Sequence, residues 1–293
     1  MTDALRPNIW EDYIGQERLK TTLSISIQGA LERGERLDHI LLAGPPGAGK
    51  TSLAFLIAEA AELDYIELIA PIKPVLMKKI VLNYEGLLFI DEIHRMPTKE
   101  QETLLPLLED QKLQIETGSF IENDSLVIVG ATTEAKKIIK PLLDRFLLKP
   151  PFDDYSDTEM CLIVQRMAEK IGLSIPKDQG LILGRATGGT PRNAKAFVKM
   201  AQNLKTCSAK KILLQCRVTE DGLGVEHTNY IKVLVNGGGS MGLDILSTHT
   251  GIVKEVILDM ERLLVKRGYI EFSKGGRIAL KPAYQIMNKK ATF

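Results

Sequence analysis

The chain is poor in cysteine, nearly neutral, and without a long apolar run. Each shortage excludes something. Cys161, Cys207 and Cys216 are the only cysteines among 293 residues. They lie far apart and fit neither a Cys-x-x-Cys nor a zinc-ligand spacing, so no disulfide framework is expected and a reducing compartment is. No apolar leader core precedes Leu5-Arg6-Pro7, and no apolar stretch approaches the roughly 20 residues that span a bilayer. A cytoplasmic location is the expectation. The formal net charge is +1, from 38 Lys and Arg against 37 Asp and Glu. That balance does not announce a nucleic-acid binder, so any DNA contact must come from a local patch. What is present is ordinary for a folded chain: 44% hydrophobic and 26% charged residues, with length for two or three domains.

The organising stretch is Gly44-Pro45-Pro46-Gly47-Ala48-Gly49-Lys50-Thr51, which fits the phosphate-binding pattern G-x-x-x-x-G-K-[ST]. Glycines let backbone N–H groups turn inward around an anion with no Cβ in the way. Lys50 would reach the β- and γ-phosphates, and the Thr51 hydroxyl would ligate Mg²⁺. The flanks suit this reading. His39 to Ala43 is a short apolar run of strand type, and Ser52 to Ala61 is helical in pattern, so its N-terminus would point at the phosphates. The plain alternative is a glycine-rich turn. Downstream, Leu87-Leu88-Phe89-Ile90 ends in Asp91-Glu92, a buried parallel strand whose carboxyl end meets the ligand. Asp91 would hold the Mg²⁺ shell and Glu92 would polarise the attacking water. An acidic pair opening a helix is the competing reading.

Along the chain, Leu5 to Gln16 reads as an extended arm with a turn at Gly15. Glu17 to Arg33 is a helix closed by Gly34. Asp64 to Ala70 is a second strand, Val75 to Asn83 and Thr98 to Leu108 are helices, and Lys112 to Asn123 is a hairpin with Gly118 near its tip. Ser125 to Gly130 is another buried strand. Alternating strands and helices over residues 1–150 imply an α/β domain with a mostly parallel sheet. Residues 151–217 form a small all-helical domain, with helices over Thr158–Ile171, Gln179–Thr187 and Pro191–Asn203. Residues 218–293 change character. Short helices over Asn229–Val235 and Leu243–Ser247 precede a longer one over Val253–Arg267, and a hairpin turns at Ser273 to Gly276. Three helices and a hairpin make a winged helix-turn-helix pattern. From Lys266 onward the charges are Lys266, Arg267, Lys274, Arg277, Lys281, Lys289 and Lys290 against Glu271, the footprint of a phosphate-binding wing. The competing reading is a protein-binding winged helix.

Taken together, the motifs resemble the RuvB-type Holliday-junction branch-migration motors, AAA+ ATPases with a C-terminal winged helix. The matching stretches run through nearly the whole chain: residues 5–16, 37–51, 87–96 (LLFIDEIHRM), 104–110, 130–133 (GATT), 141–146 (PLLDRF), 188–194 (GGTPRNA), and Gly222 onward. The resemblance implies an ATP- and Mg²⁺-dependent DNA helicase acting in recombination and repair. Leu5 and Arg6 sit where the family's arm meets adenine, and Tyr155 falls at another adenine-side position. Gly47, Gly49, Lys50, Thr51 and Ser52 would hold phosphates and Mg²⁺. Asp91 and Glu92 correspond to the Walker B pair, Thr133 to the sensor of the γ-phosphate, Arg145 to the arginine finger, and Arg192 to the second sensor. Each places a fixed cation or donor where charge builds on the transferred phosphoryl group.

A finger supplied by a neighbour implies a homo-oligomeric ring, a hexamer in the family. With the wing, the resemblance implies duplex or four-way-junction DNA as partner, with Lys274 and Arg277 as contacts. The family's hairpin docks the junction-binding partner RuvA, which here falls on Phe120 and Ile121. The chain departs from the family at Glu134, where Arg is usual, at Leu143, and in its shorter 112–123 hairpin. The runner-up function is an ATP-gated DNA-binding switch of initiator or clamp-loader type. A protein-remodelling AAA+ module is a third.

Overall fold

A computed structural model describes residues 4–114 and 118–288. The chain divides into two compact units, Met1–Tyr155 and Ser156–Phe293.

In the first unit, α1 (Glu17–Arg33) buries Leu19, Leu23, Ile27 and Ala30, a single stripe at helical spacing. It ends where Gly34 takes a left-handed φ of +64° and its N–H meets the last-turn carbonyls. The chain then runs through β1 (Ile40–Ala43), α2 (Lys50–Ala60), β2 (Tyr65–Ile69), α3 (Pro74–Asn83) and β3 (Gly86–Asp91). It continues through α4 (Thr98–Thr103), α5 (Leu105–Asp110), β4 (Lys112–Gln114), β5 (Phe120–Glu122), β6 (Leu126–Thr132) and α6 (Lys140–Arg145). The main sheet is parallel throughout, in the order β1-β6-β3-β2. Leu148 adds a parallel bridge beside Ile40 on the free side of β1.

The central strands explain the continuous apolar runs. Leu87, Phe89, Val127 and Val129 face one core cluster, and Leu88, Ile90, Leu126 and Ile128 face the other. A sheet covered on both faces has no solvent side, so alternation disappears. Each such Leu or Phe contributes about 2 kcal/mol by leaving water. The helix expected over Thr98–Leu108 is interrupted at Leu104. Pro106, in the first turn of α5, has no N–H to offer the preceding turn. The hairpin pairs Leu113 with Ile121 and Gln114 with Phe120, and part of its expected tip lies outside the described residues.

The second unit opens with α7 (Asp157–Glu169), α8 (Lys177–Ala186), α9 (Pro191–Leu204) and α10 (Ala209–Cys216). A capping box starts α7. The Ser156 hydroxyl accepts from the Glu159 N–H at 3.1 Å, and the Glu159 carboxylate accepts from the Ser156 N–H at 2.8 Å. The winged helix follows as α11 (Val225–Asn236), β7 (Ser240–Met241), α12 (Leu243–Thr250), α13 (Lys254–Lys266), β8 (Ile270–Ser273), β9 (Gly276–Ala279) and α14 (Lys281–Asn288). Its sheet is antiparallel in the order β7-β9-β8. The expected helices and hairpin are present, and β7 and α14 are additions to them. Buried Tyr230, Ile231, Leu246, Ile257, Leu264 and Ile270 form its core. The expected basic residues Lys289 and Lys290 lie outside the described residues. Among those residues no helix is long and apolar enough to cross a membrane.

Candidate nucleotide-hydrolysis site

The parallel order brings three motifs to one edge of the sheet. Ala43 pairs with Thr132 and Ile90 with Gly130, so β1, β6 and β3 end together. The Gly44 N–H donates to the Thr132 carbonyl at 3.1 Å, tying the start of the loop to the strand that carries Thr133. Ligands of open α/β sheets bind at such carboxyl ends.

The loop itself is shaped by its glycines. Gly47 and Gly49 have φ of +76° and +99°, a region that a Cβ disfavours. A Cβ on Gly49 would also lie 3.0 Å from the Tyr13 hydroxyl. Lys50 is buried, and its Nζ donates to the Gly44 and Pro45 carbonyls at 2.8 and 2.9 Å. The ammonium is thus held within the loop it serves. Thr51 and Ser52 occupy the first turn of α2, half-buried, where unpaired helix N–H groups and the dipole favour an anion.

Two tyrosines back the loop. The Tyr13 and Tyr155 hydroxyls lie 3.5 and 3.4 Å from the Ala48 carbonyl, and both residues are buried. Burial, reinforced by Tyr155, pushes the Tyr13 phenol well above its ordinary range, so it stays a neutral donor. Leu5 is buried, and half-exposed Arg6 lies 3.9 Å from the Glu67 carboxylate. Gln16 was not anticipated. Its side-chain amide donates to the Asp153 carbonyl at 2.7 Å and accepts from the Asp153 N–H at 2.9 Å, joining the N-terminal arm to the end of the unit.

At the end of β3, Asp91 is half-buried, and its Oδ1 accepts from the Glu92 N–H at 2.9 Å. Glu92 itself adopts a left-handed conformation, φ +51° and ψ +42°. A non-glycine residue held there is costly and is typical of a side chain aimed for function. The Thr133 hydroxyl donates to Glu92 Oε2 at 3.3 Å, so the expected sensor and the expected base meet directly. His94 joins them. It is buried, with Nδ1 3.2 Å from Glu92 Oε2 and 3.0 Å from Thr132 Oγ1. Its place in the DEIHR motif was the available signal.

The remaining expected residues lie on other elements. Arg145, the last residue of α6, donates from Nε and Nη2 to Glu109 Oε2 at 2.8 and 2.5 Å, and from Nη1 to the Pro141 carbonyl at 3.0 Å. Three of its five N–H groups are engaged and two remain. Arg192 is exposed in the first turn of α9, in the second unit. Phe120 is 53% exposed, whereas Ile121 packs against the core, as alternation along a strand requires.

In the wing, Lys274 is exposed at the β8–β9 turn. Arg277 is the other expected contact. It donates from Nε and Nη2 to Glu261 at 2.6 and 2.9 Å and lies over the Phe272 ring. Glu261 is 2% exposed and also accepts from the Tyr230 hydroxyl at 2.8 Å. A buried carboxylate demands a counter-ion, and Arg277 is that ion.

The Holliday junction DNA helicase RuvB P-loop domain matches residues 5–150, and the RuvB C-terminal winged helix domain matches residues 220–288. The Holliday junction branch migration complex subunit RuvB of Helicobacter pylori is 34% identical over 97% of this chain and 91% of its own length. The same-named protein of Fervidobacterium nodosum is 34% identical over 97% and 88%. The solved structure of the Thermotoga maritima RuvB Holliday junction branch migration motor aligns with a TM-score of 0.83 and 30% identity, covering 98% of this chain and 99% of that one. A nucleotide-binding P-loop domain and a winged helix, in this order and over this extent, place the chain in the RuvB family of AAA+ ATPases.

Proposed function

We propose that this protein is the ATP-driven motor of Holliday-junction branch migration, acting in recombination and repair. The observation that carries the reading is the convergence of Glu92, Thr133 and the Lys50 loop at one sheet edge, in a chain that also bears a winged helix. Lys50 neutralises the β- and γ-phosphates, with Gly47, Gly49, Thr51 and Ser52 around them and Leu5, Arg6 and Tyr155 on the adenine side. The Thr51 hydroxyl and the Asp91 carboxylate are both oxygen donors, which suits Mg²⁺, a hard cation. When bound, that ion would supply positive charge to offset that of the phosphates. Glu92 orients the attacking water and accepts its proton, and Thr133 ties Glu92 to the γ-phosphate.

Arg145 acts on the nucleotide of the next subunit in a ring, a hexamer by family resemblance. Arg192 reads the nucleotide from the helical part. The chain then works in three parts, the ATPase over 1–150, the lid over 151–217 and the winged helix over 218–293. Lys274 contacts phosphates of duplex or four-way-junction DNA, and Arg277 supports the wing from inside. Exposed Phe120 offers a docking point for a RuvA-type junction-binding partner.

The test is the ATPase rate of the parental protein and of Glu92→Gln, each without DNA, with linear duplex and with a four-way junction. The expected result is DNA-stimulated turnover that Glu92→Gln abolishes while ATP still binds. Parental turnover by Glu92→Gln would overturn the assigned chemistry. One slow hydrolysis per binding event, indifferent to DNA with or without the partner, would point to a switch instead.

A further inference from the structure

The side chain at position 134 faces the hydrolysis site through an intermediary. Glu134 follows directly on the GATT segment. Its Oε1 lies 3.4 Å from His94 Nε2. On the other side of the same imidazole, Nδ1 lies 3.2 Å from Glu92 Oε2. His94 therefore stands between two carboxylates, one half-exposed and one in the site. Its side chain is only 4% exposed, so the imidazole is confined by its surroundings.

The arrangement closes on itself. The Glu134 N–H donates to Thr132 Oγ1 at 2.9 Å, and Thr132 Oγ1 is 3.0 Å from His94 Nδ1. Thr132 is fully buried. Backbone and side chain of one residue thus address the same ring from two directions. Lys137, one turn on, holds the Glu134 carboxylate from outside at 2.9 to 3.0 Å. His94 in turn touches the group assigned as base.

We infer that Glu134 is a positioning residue for ATP hydrolysis, anchoring His94 so that the ring keeps its place against the Glu92 carboxylate. The inference rests on Glu92 acting as the base. The Glu134 side chain is 48% exposed, so it can be changed without opening the core. A base displaced by even ~1 Å can lose up to about a hundredfold in rate, so releasing one anchor should be visible in turnover.

The experiment compares steady-state ATPase kinetics and equilibrium nucleotide binding for the parental protein, Glu134→Ala, Glu134→Gln and Glu92→Gln. Glu134→Ala should lower kcat by about tenfold, as expected for a loosened base, and leave nucleotide Kd within twofold. Glu134→Gln keeps an oxygen acceptor for the imidazole and should retain most of the parental kcat. Parental turnover by Glu134→Ala, with Glu92→Gln inactive, would overturn the positioning role and leave the base assignment standing. Parental turnover by Glu92→Gln would instead overturn the base assignment. A Glu134→Ala that loses nucleotide binding, or a Glu134→Gln as slow as Glu134→Ala, would also overturn the positioning role.

Discussion

Arg267, at the end of α13 in the winged helix, donates two hydrogen bonds to Asp157, the first residue of α7, from Nη1 to Oδ2 and Nη2 to Oδ1, both at 2.9 Å. The guanidinium is 8% exposed and also donates to the Arg185 carbonyl at 2.7 Å. Arg185 in turn pairs with Asp221, which accepts from the Tyr269 hydroxyl at 2.7 Å. Elements 110 residues apart in sequence are thereby joined by bidentate, charge-assisted bonds.

Asp157→Ala should therefore destabilise the second unit by about 2 kcal/mol, because it leaves a nearly buried guanidinium without its carboxylate. The Arg267 side chain holds the Asp157 carboxyl below its ordinary range. The stabilisation is present above the unfolded-state aspartate range and is lost in acid, as pH falls through the lower folded value. Urea unfolding of the parental and variant proteins at neutral and acid pH checks both statements. Equal midpoints at neutral pH would count against them.

The two wing cations should separate by assay. Arg277→Ala strands the 2%-exposed Glu261 carboxylate with the Tyr230 hydroxyl. It should cost about 3 kcal/mol of stability, as breaking a buried pair does. Lys274→Ala should leave stability unchanged and reduce the salt dependence of DNA binding by about one phosphate contact. Thermal unfolding and binding isotherms at several salt concentrations read the two effects. A stable Arg277→Ala protein would remove the structural role.

Arg145 and Lys50 should complement each other across subunits. Lys50→Ala should lose nucleotide binding, and Arg145→Ala should bind ATP yet lose about 10³-fold in hydrolysis. Mixing the two inactive variants places an intact Arg145 beside an intact loop at some interfaces. Partial recovery of ATPase in the mixture is the expected result. No recovery, with both variants shown to co-assemble, would mean that the finger acts within its own subunit.

His39 should make stability fall in mild acid. Its Nδ1 accepts from the Ile128 N–H at 2.9 Å, and the Arg36 guanidinium lies 2.8 Å from Nε2. Burial, and then the Arg36 charge, lowers its pKa to about 3. Between about pH 6.5 and about pH 3 the unfolded chain binds a proton that the folded one refuses. The contribution of this group then declines by about 1.4 kcal/mol per pH unit as pH falls through that window. His39→Asn, which keeps an acceptor for Ile128, should flatten the pH dependence of urea midpoints. An unchanged slope would exclude His39 as its source.

Much of the ATPase architecture was legible because its signals are local. The span Glu17–Arg33 ends at Gly34 because a left-handed C′ residue is needed there. The run Leu87 to Ile90 reads as a doubly covered strand because no polar residue interrupts it. Elements with weak local signals were not legible. β7 is two residues long and exists only through its pairing with β9. α10 was not distinguished within its helical stretch, and α14 follows a hairpin with only eight residues of pattern.

By itself the sequence determined the phosphate loop, the acidic strand end, the helical part and the winged helix, together with the family they belong to. Glycine spacing, apolar periodicity and motif order carry that information without reference to distant partners. Only the tertiary structure decided that Arg277 turns inward to a buried Glu261, that Glu109 holds Arg145, and that His94 links Glu134 to Glu92. It also decided that Gly184 lets α7 and α8 approach, since a Cβ there would lie 2.6 Å from the Cys161 nitrogen. The physical reason is common to all four. The partner of a charge, or the neighbour of a missing Cβ, is set by which elements pack together, and a side chain's local sequence does not specify what lies across that packing.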